Sequence, residues 1–351
     1  MSCILSVKLG FLVFAYAVAI SIAYTGAYRI GVNYGMVSDN IPPPGQVISM
    51  CTSRNIRRLR LFEPNPAALA ALSSSGIEVI LGTRNEDLPK LAVDPSYAKT
   101  WVETHVLPHI DTTLFKYISA GNEVIPGKLA NYVLPAMKNL DAALKSVGRK
   151  IPVSTTVPSN VLGISYPPSA GKFSPVTAPV MEPIVAFLAS ESYPLLVNVY
   201  PYFAYIGNPK DISLDYALFN SKKVVVRDGA LGYKNLFDAM VDAIYAALEK
   251  AGGSTVKIVV SETGWPSAGG DGLVATINNA QTYNRNLISH LALSPGTPRR
   301  PTQDLETYIF ALFNEDLKAV GTERNFGLFY PNMTEVYGVS LEGPFSRAFG
   351  Q

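Results

Sequence analysis

Short runs of apolar and β-branched residues alternate along the chain with longer stretches in which apolar positions recur every three or four residues. The short runs predict buried strands, and the longer stretches predict amphipathic helices. Strands are predicted at 30–34, 56–61, 77–81, 114–121, 153–157, 195–200, 256–261 and 307–313. The principal helices are predicted at 129–147, 180–190, 235–251 and 275–293. Eight strands that alternate with helices predict a (β/α)8 barrel.

A doubly wound open sheet is the alternative to a barrel, because it is built from the same alternation of elements. It is disfavoured because no glycine-rich phosphate loop follows the first predicted strand. The chain has 351 residues, a length that barrels often reach as one domain. Neither an internal repeat nor a low-complexity linker interrupts it, so we predict a single domain over residues 28–340.

The first residues have the composition of a targeting segment. Lys8 precedes an apolar run at 9–20, and small residues follow it up to Ala27. This pattern predicts a secretory signal peptide at 1–27, cleaved after Ala23 or Ala27. An uncleaved membrane anchor is the alternative, although the run is short for a span. The tail at 341–351 lacks the long apolar run of a lipid-anchor signal, so we expect secretion to the cell exterior or delivery to a vacuole.

Charge and composition argue against several other kinds of partner. The net charge is +2, and no long basic run occurs, so nucleic-acid binding is not expected. The three histidines, His105, His109 and His290, lack zinc spacing, and no cofactor or metal is predicted. Cys3 would leave with the signal peptide, and Cys51 is expected to be a small buried side chain. The sequon at Asn332 makes glycosylation an expectation, and we expect a monomer.

Two glutamates stand at the ends of two predicted strands. Glu262 follows the valine-rich seventh strand and precedes a Gly-Trp-Pro break, and Glu123 follows the fourth strand shortly before Pro126. Either glutamate alone would usually be an ion-pair partner. In a barrel, however, both would lie at the carboxyl ends of the strands, where such enzymes keep their chemistry. A pair of carboxylates is the minimal equipment for glycoside hydrolysis.

Several ordered segments resemble the plant β-1,3-glucanases of glycoside hydrolase family 17 across 30–339. The matching segments are GVNYG at 31–35, PVST at 152–155, SYPPSAG at 165–171, NVYPYF at 198–203, SETGWPS at 261–267, GTPRRP at 296–301, FNE at 313–315 and NFGLF at 325–329. This chain departs from the family at Asn33, where many relatives carry Cys, at Ala120, where Val is usual, and at Glu63, where Asp is usual. The charged stretch at 83–87 is also unusual for the family.

The resemblance implies a retaining endo-hydrolase of 1,3-β-glucans that forms a covalent glycosyl-enzyme. Carried over by position, Glu123 would be the general acid/base and Glu262 the nucleophile. Glu315, Lys318 and Glu323 match a supporting charged cluster of the family. Plant defence against fungal walls is the implied role, and turnover of callose would use the same site.

Other polar and aromatic residues near the strand ends are candidates for binding sugar. Asn122 is expected to hydrogen-bond the sugar 2-hydroxyl or to orient Glu262, and a strand-end cap is its alternative role. Aromatic rings stack on the apolar faces of sugars, and rings at predicted strand ends are candidates for this contact. They are Tyr34, Tyr200, Tyr202, Trp265, Phe313 and Phe326. For each ring, a place in the core is the alternative.

Two other functions remain open at this point. The same fold and the same acids would serve hydrolysis of mixed-linkage 1,3;1,4-β-glucan, with a change only in the shape of the subsites. A non-catalytic glucan-binding protein is the alternative from a different class. Both carboxylates and the charged cluster are present, which argues against it.

Overall fold

The protein is an eight-stranded parallel barrel, as seen in a computed structural model that describes residues 30–294 and 296–341. The strands are β1 (Ile30–Tyr34), β2 (Arg58–Leu61), β3 (Glu78–Gly82), β4 (Leu114–Asn122), β5 (Val153–Pro158), β6 (Leu195–Asn198), β7 (Ile258–Thr263) and β8 (Thr307–Ile309). Each strand pairs with the next, and β8 pairs with β1 to close the barrel. The predicted fold class is therefore confirmed.

Helices surround the barrel and join consecutive strands. They are α1 (Pro44–Ser53), α2 (Pro66–Leu72), α3 (Leu88–Val93), α4 (Pro95–His105), α5 (Ala130–Ser146), α6 (Ala178–Glu191), α7 (Pro201–Gly207), α8 (Leu214–Ala217), α9 (Leu236–Lys250) and α10 (Ile277–Leu293). Several begin where a side chain accepts a hydrogen bond from the first turn: Asn65 caps α2, Asn235 caps α9 and Thr276 caps α10. These caps explain why the predicted helices and the observed ones nearly coincide.

Some strands are shorter than their sequences predict. The sixth was expected to run to residue 200, but it ends at Asn198 because Tyr200 already precedes the first turn of α7, which starts with Pro201. The eighth was expected to reach residue 313 and ends at Ile309. Outside the barrel, a short antiparallel hairpin pairs 226–228 with 231–233. A second antiparallel pair, 162–164 with 172–173, was not predicted.

The predicted signal peptide and all of the predicted tail except Leu341 lie outside the described residues. Within 30–294 and 296–341, no helix combines the length and the apolar character needed to cross a bilayer. The same ranges contain no cluster of His, Cys, Asp and Glu side chains arranged to hold a metal ion.

The barrel interior is filled at its amino end and open at its carboxyl end. Glu78, at the start of β3, accepts hydrogen bonds from Arg58 and Lys116. Above these charges lies an apolar layer made by Ile80, Leu196, Val259 and Tyr308, all of which are buried. Because this layer closes the lower half of the barrel, ligands can enter only among the loops at the carboxyl ends of the strands.

Asn33 carries a buried polar group that the protein does not satisfy. It pairs in register with Arg60 on the neighbouring strand, so both side chains point into the barrel. Asn33 is fully buried, and neither polar atom of its amide has a hydrogen-bond partner among the described residues. An unsatisfied buried polar group costs stability.

We therefore expect Asn33→Cys to increase the free energy of unfolding by ~1 kcal/mol, because it removes the amide. Urea unfolding followed by circular dichroism measures the change. Asn139→Cys is the matched control and should be destabilising, because Asn139 donates to the backbone carbonyls of Leu91 and Ala92. A less stable Asn33→Cys protein would contradict the expectation.

Candidate active site

The two glutamates lie at irregular ends of β4 and β7. The register of β4 against β5 shifts between Ser119 and Asn122, and that of β7 against β6 shifts between Val260 and Glu262. Such irregularities redirect side chains and are common beside active sites. Glu123 itself has φ = 55°, a left-handed conformation that is rare for a residue with a side chain. The backbone thus turns sharply where each carboxylate enters the cleft.

A cleft of about 450 Å³ lies at the carboxyl end of the barrel and contains both glutamates. Of the residues predicted from sequence, those that line it are Asn122, Glu123, Tyr200, Glu262, Lys318, Glu323 and Phe326. Residues distant in sequence by up to two hundred positions therefore meet at one site. The cleft combines carboxylates with aromatic rings, as a site for polyhydroxylated rings would require.

Both oxygens of the Glu262 carboxylate are held by strong donors. Arg60 donates from Nη1 to Oε1 at 2.6 Å, and the Tyr200 hydroxyl donates to Oε2 at 2.7 Å. Arg60 is 1% exposed, so this ion pair is almost completely shielded from water. These two hydrogen bonds fix the orientation of the carboxylate.

Asn122 belongs to the support of Arg60. Its Oδ1 accepts from Nη2 of Arg60 at 2.7 Å. Its own backbone is clamped by Asn85, which accepts from the amide of Asn122 and donates to its carbonyl. Of its two predicted roles, this geometry favours orientation of Glu262, exerted through Arg60.

Glu123 has the surroundings of a proton donor. Burial raises the pKa of its carboxyl, and the nearby charge of Glu262 raises it further. Asn198 donates from Nδ2 to Oε1 of Glu123 at 2.8 Å, which opposes this rise. The net effect is a raised pKa, so Glu123 holds its proton to a higher pH than an ordinary glutamate.

The predicted charged cluster divides between the cleft and the layer beneath it. Lys318 and Glu323 line the cleft, and the Lys318 ammonium lies 5.4 Å from the centre of the Phe310 ring. Glu315 is buried, and its Oε1 accepts from the backbone amide of Val37 at 2.7 Å. Burial raises the pKa of Glu315, while the charge of Lys318 opposes the rise. Glu315 therefore supports the β1 loop and does not line the cleft.

Four of the six predicted stacking rings belong to the core, which corrects the expectation that they contact sugar. Tyr34, Tyr202, Trp265 and Phe313 are each less than 5% exposed. Tyr34 packs edge-on against Phe313, at 6.4 Å between ring centres, and Trp265 donates from Nε1 to the carbonyl of Val274. None of these four rings lines the cleft, so a place in the core, which was the alternative for each ring, is favoured for them.

Several residues of the cleft were missed. They include the lining residues Asn198, Phe62, Phe203 and Phe310, and Arg60 was missed as well, which does not line the cleft but bonds Glu262. Arg60 had a detectable signal, because the sequence Arg-Leu-Arg-Leu at 58–61 places charge at alternate positions of a strand that must be buried. An arginine inside a barrel needs a carboxylate partner there.

The chain resembles known proteins over most of its length. The family model described as glycosyl hydrolases family 17 matches residues 30–341. The chain belongs to glycoside hydrolase family 17. It is 50% identical to a glucan endo-1,3-β-glucosidase of Vitis vinifera over 323 residues, which are 90% of this chain and 92% of the relative. It is 48% identical to Lichenase-2 of Hordeum vulgare, over 89% of this chain and 98% of that one.

A solved structure supports the family membership. It is that of a β-1,3-glucanase and allergen of Cryptomeria japonica pollen, which is 46% identical to this chain and superposes with a TM-score of 0.86. The match covers 89% of this chain and 99% of that one. This family 17 member is therefore a glycoside hydrolase by sequence and by fold.

Proposed function

We propose that this family 17 enzyme hydrolyses internal bonds of 1,3-β-glucans with retention of configuration. The observation that carries the proposal is the contrast between the two glutamates. Glu262 is held by a buried arginine and a tyrosine, whereas burial and the nearby charge of Glu262 raise the pKa of Glu123. Double displacement requires one carboxyl that gives a proton and one carboxylate that attacks. The names of the Vitis and Cryptomeria relatives support a 1,3-β-glucan as the substrate.

In the first step, Glu123 gives its proton to the glycosidic oxygen while the carboxylate of Glu262 attacks the anomeric carbon. The bond to the leaving sugar breaks, and an ester forms between Glu262 and the remaining glucan. In the second step, Glu123, now ionised, takes a proton from water, and the water oxygen attacks the same carbon. Glu262 leaves as a carboxylate, and two inversions give net retention.

The pH dependence of the reaction should follow the proton on Glu123. Because the first step needs this proton, kcat/KM is expected to fall as pH rises through the raised pKa of Glu123. Asn198→Ala removes a hydrogen bond that favours the ionised form of Glu123. The alkaline limb of the pH profile of kcat/KM should therefore move to higher pH by about half a unit. Asn160→Ala, in the same cleft wall, should not move this limb. An unchanged or lowered limb in Asn198→Ala would contradict the role of Glu123 as the acid.

An open cleft and a near-neutral chain suit a long uncharged polymer. The direct test is release of reducing ends from laminarin, lichenan and carboxymethyl-cellulose. We expect cleavage of laminarin, with a broad range of products from internal bonds. A preference for lichenan would move the assignment to a mixed-linkage glucanase, as the name of the Hordeum relative would suggest. A folded protein with no activity on any glucan would favour the binding-protein alternative.

Secretion and glycosylation belong to the same proposal. We propose that residues 1–27 direct the chain into the secretory route and that it acts there as a monomer, in the wall space or a vacuole. Asn332 is exposed in a turn in which the amide of Thr334 donates to its Oδ1. If Asn332 carries a glycan, digestion with an amidase specific for N-glycans should lower the mass of the secreted protein, and Asn332→Gln should remove this shift. Fungal wall glucan and callose are the candidate targets.

A further inference from the structure

Phe62 covers the guanidinium of Arg60 on the side of the cleft. The Cζ atom of Arg60 lies 4.5 Å from the centre of the Phe62 ring, which is the distance of a cation–π contact. Phe62 itself lines the cleft, and it packs edge-on against Phe310, at 6.2 Å between ring centres. The ring therefore lies between the catalytic cleft and the arginine that holds Glu262.

This cover affects the arginine in two ways. The ring attracts the cation by its quadrupole, and it keeps the water of the cleft away from a guanidinium that is 1% exposed. The two Nη atoms donate to Glu262, to the carbonyl of Ser261, to Asn122 and to Thr156, whereas Nε has no partner among the described residues. The hydrogen bonds of Arg60 are therefore all made at its Nη atoms. Contact with the ring adds a restraint on the face of the guanidinium.

The backbone around Phe62 is fixed tightly enough to hold the ring in place. Gly82, at the end of β3, lies so close to it that a Cβ atom there would stand 2.2 Å from the carbonyl oxygen of Phe62. The next residue, Glu63, forms an ion pair with Arg84 at 3.0 Å, which joins the loops after β2 and β3. Both contacts connect the backbone of Phe62 to a neighbouring strand end.

We infer that Phe62 is a positioning residue for the reaction, which acts by holding Arg60 against Glu262. The inference rests on the proposed function, because it concerns the carboxylate that attacks the sugar. It differs from a simple stacking role, in which Phe62 would contact the glucan and affect binding alone.

A double-mutant cycle on the full-length protein separates the two roles. Phe62→Leu keeps an apolar side chain but removes the aromatic face, and we expect kcat on laminarin to fall about tenfold with little change in KM. Phe62→Tyr should restore kcat. In an Arg60→Met background, the same Phe62→Leu change should cost less than about twofold, because the cation on which the ring acts is gone. An aryl laminaribioside with a good leaving group keeps the slow variants measurable.

Two results would overturn the inference. One is an equal loss of activity from Phe62→Leu in both backgrounds, and the other is a rise in KM with kcat unchanged, as stacking on sugar predicts. Phe187→Leu is the control for loss of a packed ring, because Phe187, on α6, packs against Tyr193 and does not line the cleft. It should leave kcat unchanged.

A second measurement does not depend on activity. In a ¹⁵N-arginine spectrum, the Arg60 Nε–H of Phe62→Leu should shift downfield, because the ring current is lost, and exchange faster with water. An unchanged Nε–H signal would contradict the inference about Phe62, even if the wild type hydrolysed no glucan. A shifted signal in a protein that hydrolyses no glucan would overturn the proposed function alone.

Discussion

Glu262→Gln is expected to lower the hydrolysis of laminarin by ~10³-fold or more. The amide cannot attack the anomeric carbon, so the covalent intermediate cannot form. The change also leaves the buried Arg60 without its carboxylate, so some loss of stability should accompany the loss of rate. Measurement of kcat and KM beside thermal unfolding separates the two effects. The rate should be lost at temperatures at which the variant is fully folded.

Glu306→Gln is the matched control for this experiment. Glu306 also lies in the barrel interior, but at its amino end, where it accepts from Tyr308 and pairs with Lys116. The Glu306→Gln protein should be less stable than the wild type, and its kcat should stay within about twofold of the wild-type value. A Glu262→Gln protein that retained a tenth or more of the wild-type kcat would show that another residue is the nucleophile.

Arg60→Met is expected to have the second largest effect. It keeps much of the side-chain volume and removes the charge that pairs with Glu262. An uncompensated buried carboxylate should reduce the free energy of unfolding by ~3 kcal/mol. The carboxylate of Glu262 also loses the donor that holds its Oε1. As a result, kcat/KM on laminarin should fall by ~10²-fold, because the attacking oxygen is no longer held in position.

Arg58→Met tests whether these effects belong to the site. Arg58 lies two residues earlier on β2 and bonds Glu78 at the amino end of the barrel. The Arg58→Met protein should be less stable than the wild type, with kcat/KM within about twofold of the wild-type value. If Arg60→Met kept the kcat/KM of the wild type, Arg60 would not be needed to hold Glu262 for attack.

The sequence predicted the barrel and the location of its two glutamates because both depend on local patterns. Period-two and helical repeats identify strands and helices, and a polar residue directly after a buried strand must lie at an end of the sheet. Glu123 and Glu262 could therefore be assigned to one face of the barrel before any contact was known. Their support by Arg60, Tyr200 and Asn198 could not, because it depends on how four strands meet across the interior.

The aromatic residues show where sequence patterns fail. Trp265 follows Glu262 closely and was expected in the cleft, but the loop after β7 folds over it. That loop is held by Gly269, where a Cβ atom would stand 2.2 Å from the carbonyl oxygen of Gly321, a contact between segments more than fifty residues apart. Phe62, which does line the cleft, has no sequence feature that distinguishes it from a core ring. Long-range packing decides whether an aromatic ring lies in the cleft or in the core.

The proposed mechanism requires Glu262 to form a covalent bond to the sugar. Trapping this intermediate tests the mechanism most directly. A 2-deoxy-2-fluoro laminaribiosyl fluoride should label the enzyme, because the 2-fluorine slows both formation and hydrolysis of the ester, whereas the reactive fluoride leaving group restores the rate of formation alone. Peptide mass spectrometry should then find one added disaccharide on the peptide that contains Glu262. A label on another residue, or no label on an enzyme that cleaves laminarin, would contradict the account.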